Sequence, residues 1–277
     1  MNRTHRLRWA AALSGLWILG SPIARSTATS ADLELWRLDC GKLTDWNKEE
    51  MSDVFSYHGE KQSLTDSCYL IRHNQDYMLW ETGISAAGAA SYTAAGMPSA
   101  AGQALGDQLS RLGLKPERIS VIGISHSHRD HTGQAVEFPH AHLLIGREDY
   151  EVLEQKRPAD IAPWLGERAD VEKVVGDKDV FGDGSVIMLS TPGHTLGHHS
   201  LLVRLPKFGP VILSGDLWHF SDQVSRNEMA AGTMDRAAEL ASRDRILKAV
   251  ANLKATLVIE HEIADISKLP SFPASAQ

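Results

Sequence analysis

Short unbroken apolar runs, each closing on a polar or glycine-bearing turn, punctuate this chain from Val121 onward. Val121-Ile122-Gly123-Ile124, Val186-Ile187-Met188-Leu189, Val211-Ile212-Leu213 and Thr256-Leu257-Val258-Ile259 are of strand length and rich in β-branched residues, a pattern that predicts buried strands. With the runs around Leu33–Asp39 and Tyr69–Arg72, the pattern predicts strands over 33–40, 67–73, 76–81, 119–124, 141–145, 171–174, 185–190, 199–204, 210–215 and 256–259. Helices are predicted over 102–113, 146–155 and 234–252. The last carries Ala238, Leu240, Ala241, Ile246, Leu247, Val250 and Leu253 at roughly helical spacing, a stripe that reads as core. Two segments break the pattern. Gly41–Ser63 is polar with Met51, Val54, Phe55 and Tyr57 interspersed, and Ile84–Ala101 is rich in Ala, Gly and Ser with Tyr92 and Met97. Both read as long loops, of the kind that wall a substrate pocket.

The first 30 residues follow another logic. Arg3, Arg6 and Arg8 precede the apolar run Trp9–Leu19, and small residues from Ala24 to Ala31 offer cleavage positions. This is the plan of a secretory signal peptide. The run is too short to span a bilayer, which takes about 20 residues, so residues 31–277 are expected as one periplasmic or secreted domain without stable membrane association. Export gives weight to the two cysteines. Cys40 ends the first predicted strand and Cys68 begins the second, so antiparallel pairing would bring them near each other. An oxidising compartment permits a disulfide, but the geometry of a cross-strand bond is demanding; two buried free thiols are the expectation.

A hydrophobic content of 43% is ample for a core, and 28 Lys+Arg against 35 Asp+Glu give a formal charge of −7. No cationic run in 31–277 could track a phosphate backbone, which argues against a nucleic-acid partner.

The chemistry concentrates just past Ile124. In Ser125-His-Ser-His-Arg-Asp-His131, four metal-capable side chains, His126, His128, Asp130 and His131, are packed at a strand end. Imidazole and carboxylate suit zinc and similar divalent ions, and holding so many together without a cation among them would cost much. Three later runs end the same way, at His194, Asp216 and His261. Each sits where loops carry chemistry on a rigid sheet. Gly193 and Gly215 supply the backbone freedom for the turns that project His194 and Asp216. His198 and His199 read as support or packing, and His58, His73, His140 and His142 lack a ligand context.

Taken in order, His126-x-His128-x-Asp130-His131, His194, Asp216 and His261 resemble the metallo-β-lactamase superfamily. The resemblance covers nearly all of 31–277. It implies a four-layer αββα sandwich with two divalent metal ions, zinc by preference, along one sheet edge. His126, His128 and His194 would hold the first ion, Asp130, His131 and His261 the second, and Asp216 both. Position 128 is not the carboxylate of a flavin-linked di-iron oxygen reductase, and the bridging Asp216 is unlike the β-lactamases themselves. Little chain follows His261 from which to build the helical domain of a glyoxalase-type thioesterase. The stretches Leu64–Arg72, Thr191–His194 and Ser214–Leu217 are most similar to the N-acyl-homoserine lactone lactonases. That likeness implies a small-molecule lactone or ester substrate and attack by a hydroxide shared between the metals, with Asp130 and Asp216 fixing the ions. The alternatives are another dinuclear ester, β-lactam or phosphotriester hydrolase, and an iron-dependent thiol-sulfur oxygenase. Two positions depart from the pattern. His219 stands where such lactonases carry a tyrosine, and is a candidate proton donor to the leaving alkoxide or a packing residue. Glu81 stands where the superfamily commonly shows aspartate; its extra methylene can still orient a ligating imidazole if the backbone shifts.

Overall fold

The computed structural model describes residues 31–277; the predicted signal segment 1–30 lies outside the described residues. The first half of the described chain runs β1 (Leu33–Asn47), β2 (Lys61–His73), β3 (Asp76–Trp80), α1 (Ala86–Ala94), β4 (Ser99–Ala101), α2 (Leu105–Arg111), β5 (Ile119–Ile124), α3 (Arg129–Thr132), β6 (His142–Gly146) and α4 (Arg147–Lys156). The second runs β7 (Val171–Val174), β8 (Lys178–Asp179), β9 (Val186–Ser190), β10 (His199–Leu205), β11 (Gly209–Leu213), α5 (Arg236–Leu253) and β12 (Thr256–Val258). No helix among the described residues is long and apolar enough to cross a membrane.

The strands form two sheets, ordered β4-β1-β2-β3-β5-β6-β7 and β12-β11-β10-β9-β8. Alternation of side chains across a strand explains why the runs are apolar throughout. In β2 and β3, Leu70 and Leu79 face an outer core completed by Leu105, Leu109, Tyr150 and Leu153 of the helices. Their neighbours Tyr69, Ile71, Met78 and Trp80 face the other way, into a second core shared with Met188, Leu201, Val203 and Val211 of the second sheet. A third core under α5 takes the outer face of that sheet, through Leu202, Ile212 and Ile246. The layers are therefore helix, sheet, sheet, helix, the expected αββα sandwich. β11 pairs antiparallel with β10, β10 antiparallel with β9, and β12 parallel with β11. Hence β9, β11 and β12 all end at one edge, and each ends in a candidate ligand.

Three expectations need correcting. Much of the supposed loop 41–63 is strand: β1 continues to Asn47, paired from Gly41↔Asp66 to Asn47↔Lys61. Its exposed residues Lys42, Asp45 and Asn47 made a half-buried strand look like loop. Of 84–101, residues Ala86–Ala94 form α1, capped where the Ser85 side chain accepts from Gly88 N, and Ser99–Ala101 form β4; an Ala-rich stretch is a good helix former once capped. Cys40 and Cys68 are not free thiols but a disulfide, with Cα atoms 5.7 Å apart. The register explains it: Asp39 pairs with Ser67 and Gly41 with Asp66. Cys40 is thus the extra residue of a bulge, which turns it toward the neighbouring strand.

The stripe on α5 also differs from expectation. Ile246 is buried and Leu247, Val250 and Leu253 pack on the third core, but the first turns bury Glu239, Ser242 and Arg243 rather than Ala241. A 2.6 Å Glu239–Arg243 ion pair makes that burial tolerable.

Candidate metal centre

The seven sequence-predicted donors converge at the sheet edge. Around one point, His126 Nε2 lies 2.8 Å from His128 Nδ1, and His194 Nε2 lies 3.2 Å from the same nitrogen. Asp216 Oδ2 approaches His126 and His194 Nε2 at 3.6 and 3.3 Å. The other oxygen, Oδ1, lies 3.3 Å from His131 Nε2 and 3.1 Å from His261 Nε2. Asp130 Oδ2 stands 3.9 Å from each of those nitrogens. One carboxylate therefore faces two imidazole groups, one with each oxygen.

Each ligand loop is fixed from behind. Gly193 (φ +147°) and Gly215 (φ +55°) sit where a side chain would strain the backbone. A Cβ on Gly193 would stand 2.3 Å from Glu239 Cβ, and one on Gly215 2.5 Å from His198 Nε2. His126 Nδ1 meets Ser125 Oγ at 2.9 Å, and His261 Nδ1 meets the Thr65 carbonyl at 2.9 Å. These contacts leave Nε2 of both rings aimed at the centre. Glu81 adopts a left-handed backbone (φ +65°), rare for a non-glycine residue. Its Oε1 accepts from Ser125 N at 3.1 Å and its Oε2 lies 3.3 Å from His131 Nδ1. His198 does not ligate. Its Nε2 accepts from Asp216 N at 3.0 Å, and burial holds it down at about 3, hence neutral and able to accept.

Sequence reasoning missed two supports. Asp149, buried in the first turn of α4, accepts from Ser127 N (2.8 Å), Thr195 Oγ1 (2.6 Å) and Gly197 N (3.0 Å), tying the His126–His128 loop to the His194 loop. Nothing in the pattern distinguishes it from an ordinary acidic residue at a helix start. Tyr92 of α1, taken only as pocket wall, donates to Asp130 Oδ1 at 3.1 Å.

A divalent pair fits these donors. Zn–N bonds of about 2.0–2.1 Å in a tetrahedral site place ligand atoms about 3.3 Å apart, inside the 2.8–3.6 Å spread around the first point. His131 Nε2 and Asp216 Oδ1 are buried and make no hydrogen bond, although they face each other. The electrostatics also call for positive charge. Burial opposes charge on His261, yet Asp216 and Asp130 outweigh it and hold its pKa at about 10. His131 is likewise raised, by Asp216, Glu81 and Asp130 against burial. In the first group burial wins, and His126 and His194 stay well below the ordinary imidazole value.

His219 is buried, with Nε2 3.3 Å from Asp216 Oδ2 and its ring stacked on His261. Burial lowers its pKa despite Asp216, so it is a neutral imidazole that can donate one N–H. His128, Asp130, His194, Asp216 and His261 line a cavity of about 470 Å³ whose wall includes Leu43, Trp46, Met51 and Leu64.

Residues 64–261, which include all seven donors, match the metallo-beta-lactamase superfamily. The chain belongs to this superfamily. Within it, the chain is similar to the N-acyl homoserine lactonase AttM of Rhizobium radiobacter, 30% identical over 186 residues that cover 61% of this chain and 68% of the relative. The AttM protein of Azorhizobium caulinodans is 34% identical over 135 residues, 42% of this chain and about half (49%) of that relative. Among solved structures, an N-acyl homoserine lactone hydrolase with the product N-hexanoyl-L-homoserine at its catalytic metal centre superposes with a TM-score of 0.73. It is 22% identical, covering 87% of this chain and 98% of the other. At that identity the superposition shows the shared metallo-beta-lactamase fold.

Proposed function

We propose that the protein is a metal-dependent hydrolase that opens the lactone ring of N-acyl homoserine lactones, a quorum-quenching activity. The observation that carries the reading is the convergence of His126, His128, Asp130, His131, His194, Asp216 and His261, five of which (His128, Asp130, His194, Asp216 and His261) line a cavity with an apolar wall. Similarity to curated lactonases supports the substrate class. A cavity of about 470 Å³ suits a small molecule, and Leu43, Trp46, Met51 and Leu64 offer an acyl chain apolar surface.

His126, His128 and His194 would hold one divalent cation and Asp130, His131 and His261 a second, with Asp216 available to both; nitrogen and carboxylate donors favour zinc. Bound there, the cations supply Lewis acidity toward the ring carbonyl and toward the water that attacks it. The remaining work falls to the chain. Asp216 spaces the two groups, and Glu81, Ser125 and Thr65 fix the imidazoles so that little rearrangement accompanies reaction. The apolar wall limits water and orients the acyl chain. His219, beside Asp216 at the cavity floor, offers an N–H to the departing ring oxygen. We also propose export to the periplasm or exterior, supported by the charged and apolar plan of residues 1–19 and by the disulfide.

The test offers metal-loaded protein short- and long-chain acyl homoserine lactones beside a β-lactam, an aryl ester and a phosphotriester. Ring opening that chelation abolishes is expected. Turnover of only a competitor would overturn the substrate reading, and chelation-resistant turnover the metal reading.

A further inference from the structure

α1 rests on the ligand motif through two side chains. Tyr92 Oη donates to Asp130 Oδ1 at 3.1 Å, and Arg129 Nη1 donates to Ser91 Oγ at 3.2 Å. The Asp130 carboxylate is thereby divided: Oδ1 takes the phenol, while Oδ2 faces Nε2 of His131 and His261. A carboxylate turns easily about its last torsion. With neither oxygen tied, it can present either or both to a cation, and rotation away costs little. Tyr92 also lines the cavity, so its ring alone could account for its presence as wall. The hydroxyl needs a separate explanation, because a phenol packed only as wall has no reason to meet a ligand carboxylate at 3.1 Å. The helix itself is lightly packed, burying only Gly88 and Ala89, so core packing does not dictate where Tyr92 lies.

We propose, on the two-cation reading above, that Tyr92 is a positioning residue: its hydroxyl holds Asp130 so that a single oxygen, Oδ2, faces the cation shared with His131 and His261. The first group, His126, His128 and His194, receives nothing from α1. Loss of the hydroxyl therefore weakens one cation selectively. An outer hydrogen-bond partner of a metal ligand is typically worth about 10–100-fold in affinity.

The experiment titrates metal-free wild type, Tyr92→Phe, Asp130→Ala and the double variant with Co(II) against a competing chelator, following the cobalt absorption spectrum. Phenylalanine keeps the ring and the cavity wall. Wild type is expected to take two cations. Tyr92→Phe is expected to keep one at unchanged affinity and bind the other about 10–100-fold more weakly, and the double variant to be no weaker than Asp130→Ala alone, since the hydroxyl acts only through that carboxylate. At saturating metal, the Tyr92→Phe deficit in kcat should shrink while KM stays near wild type. Both affinities unchanged from wild type, or lowered by the same factor, in Tyr92→Phe, or additive losses in the double variant, would overturn the inference. A wild type that takes up fewer than two cations would instead overturn the two-cation reading beneath it.

Discussion

The two halves of the donor cluster share Asp216 yet are built on opposite electrostatic terms. His126 and His194 are neutral imidazoles, pushed down by burial, and their loops are knitted together through Asp149. His131 and His261 lie among Asp216, Asp130 and Glu81, and those carboxylates hold them protonated when no cation is present. The first half is ready to ligate, whereas the second must exchange protons for metal. Neighbouring ligands of one chemical type can thus differ in how their occupancy responds to pH.

The largest effect expected is at the shared residue. Asp216→Ala should abolish binding of both cations and lower lactone turnover by roughly 10³-fold or more; a variant that still binds two would break the symmetry on which the comparison stands. Next comes the support of the first half. Asp149→Ala strands three donors, two of them buried, and should cost about 3 kcal/mol of unfolding free energy, with weaker binding at His126–His128–His194, read by denaturant titration and metal analysis. Between the halves, His219→Ala should lower kcat about tenfold or more with two cations retained; unchanged turnover would assign the ring to packing. The second half differs in its protons. His261 sits near 10 without metal, so below that pH loading must displace its proton. Calorimetry at pH 8 in buffers of different ionisation enthalpy should register proton release that is reduced in His261→Ala. Release equal in the variant would erase the distinction between the halves. The smallest functional effect lies away from the donors. The Cys40–Cys68 bond closes a separation of 28 residues, worth about 3–4 kcal/mol by loop entropy, so Cys40→Ala/Cys68→Ala should lower stability with little change in metal stoichiometry.

The donor set was legible because its chemistry is local: a metal-capable residue follows an apolar run at each site, and β9, β11 and β12 end at one edge once the sheet forms. The sandwich was legible only through the resemblance that the donor motifs carry; the apolar runs by themselves predicted buried strands. What the pattern hid depends on pairing. Lys42, Asp45 and Asn47 disguise a strand whose partners lie in β2 and β4, and the Cys40–Cys68 bond follows from a bulge that only register reveals. Asp149 and Tyr92 act through hydrogen bonds to distant loops, and the sequence around them carries no mark of them. Glu81 was visible as a departure from aspartate, but its left-handed backbone was not.

The central claim is the cage for a cation pair. Native mass spectrometry of residues 31–277 titrated with zinc tests it most directly. The account predicts saturation at two ions per chain, falling to none in Asp216→Ala. Saturation at one ion, or zinc uptake unaffected by that substitution, would contradict it.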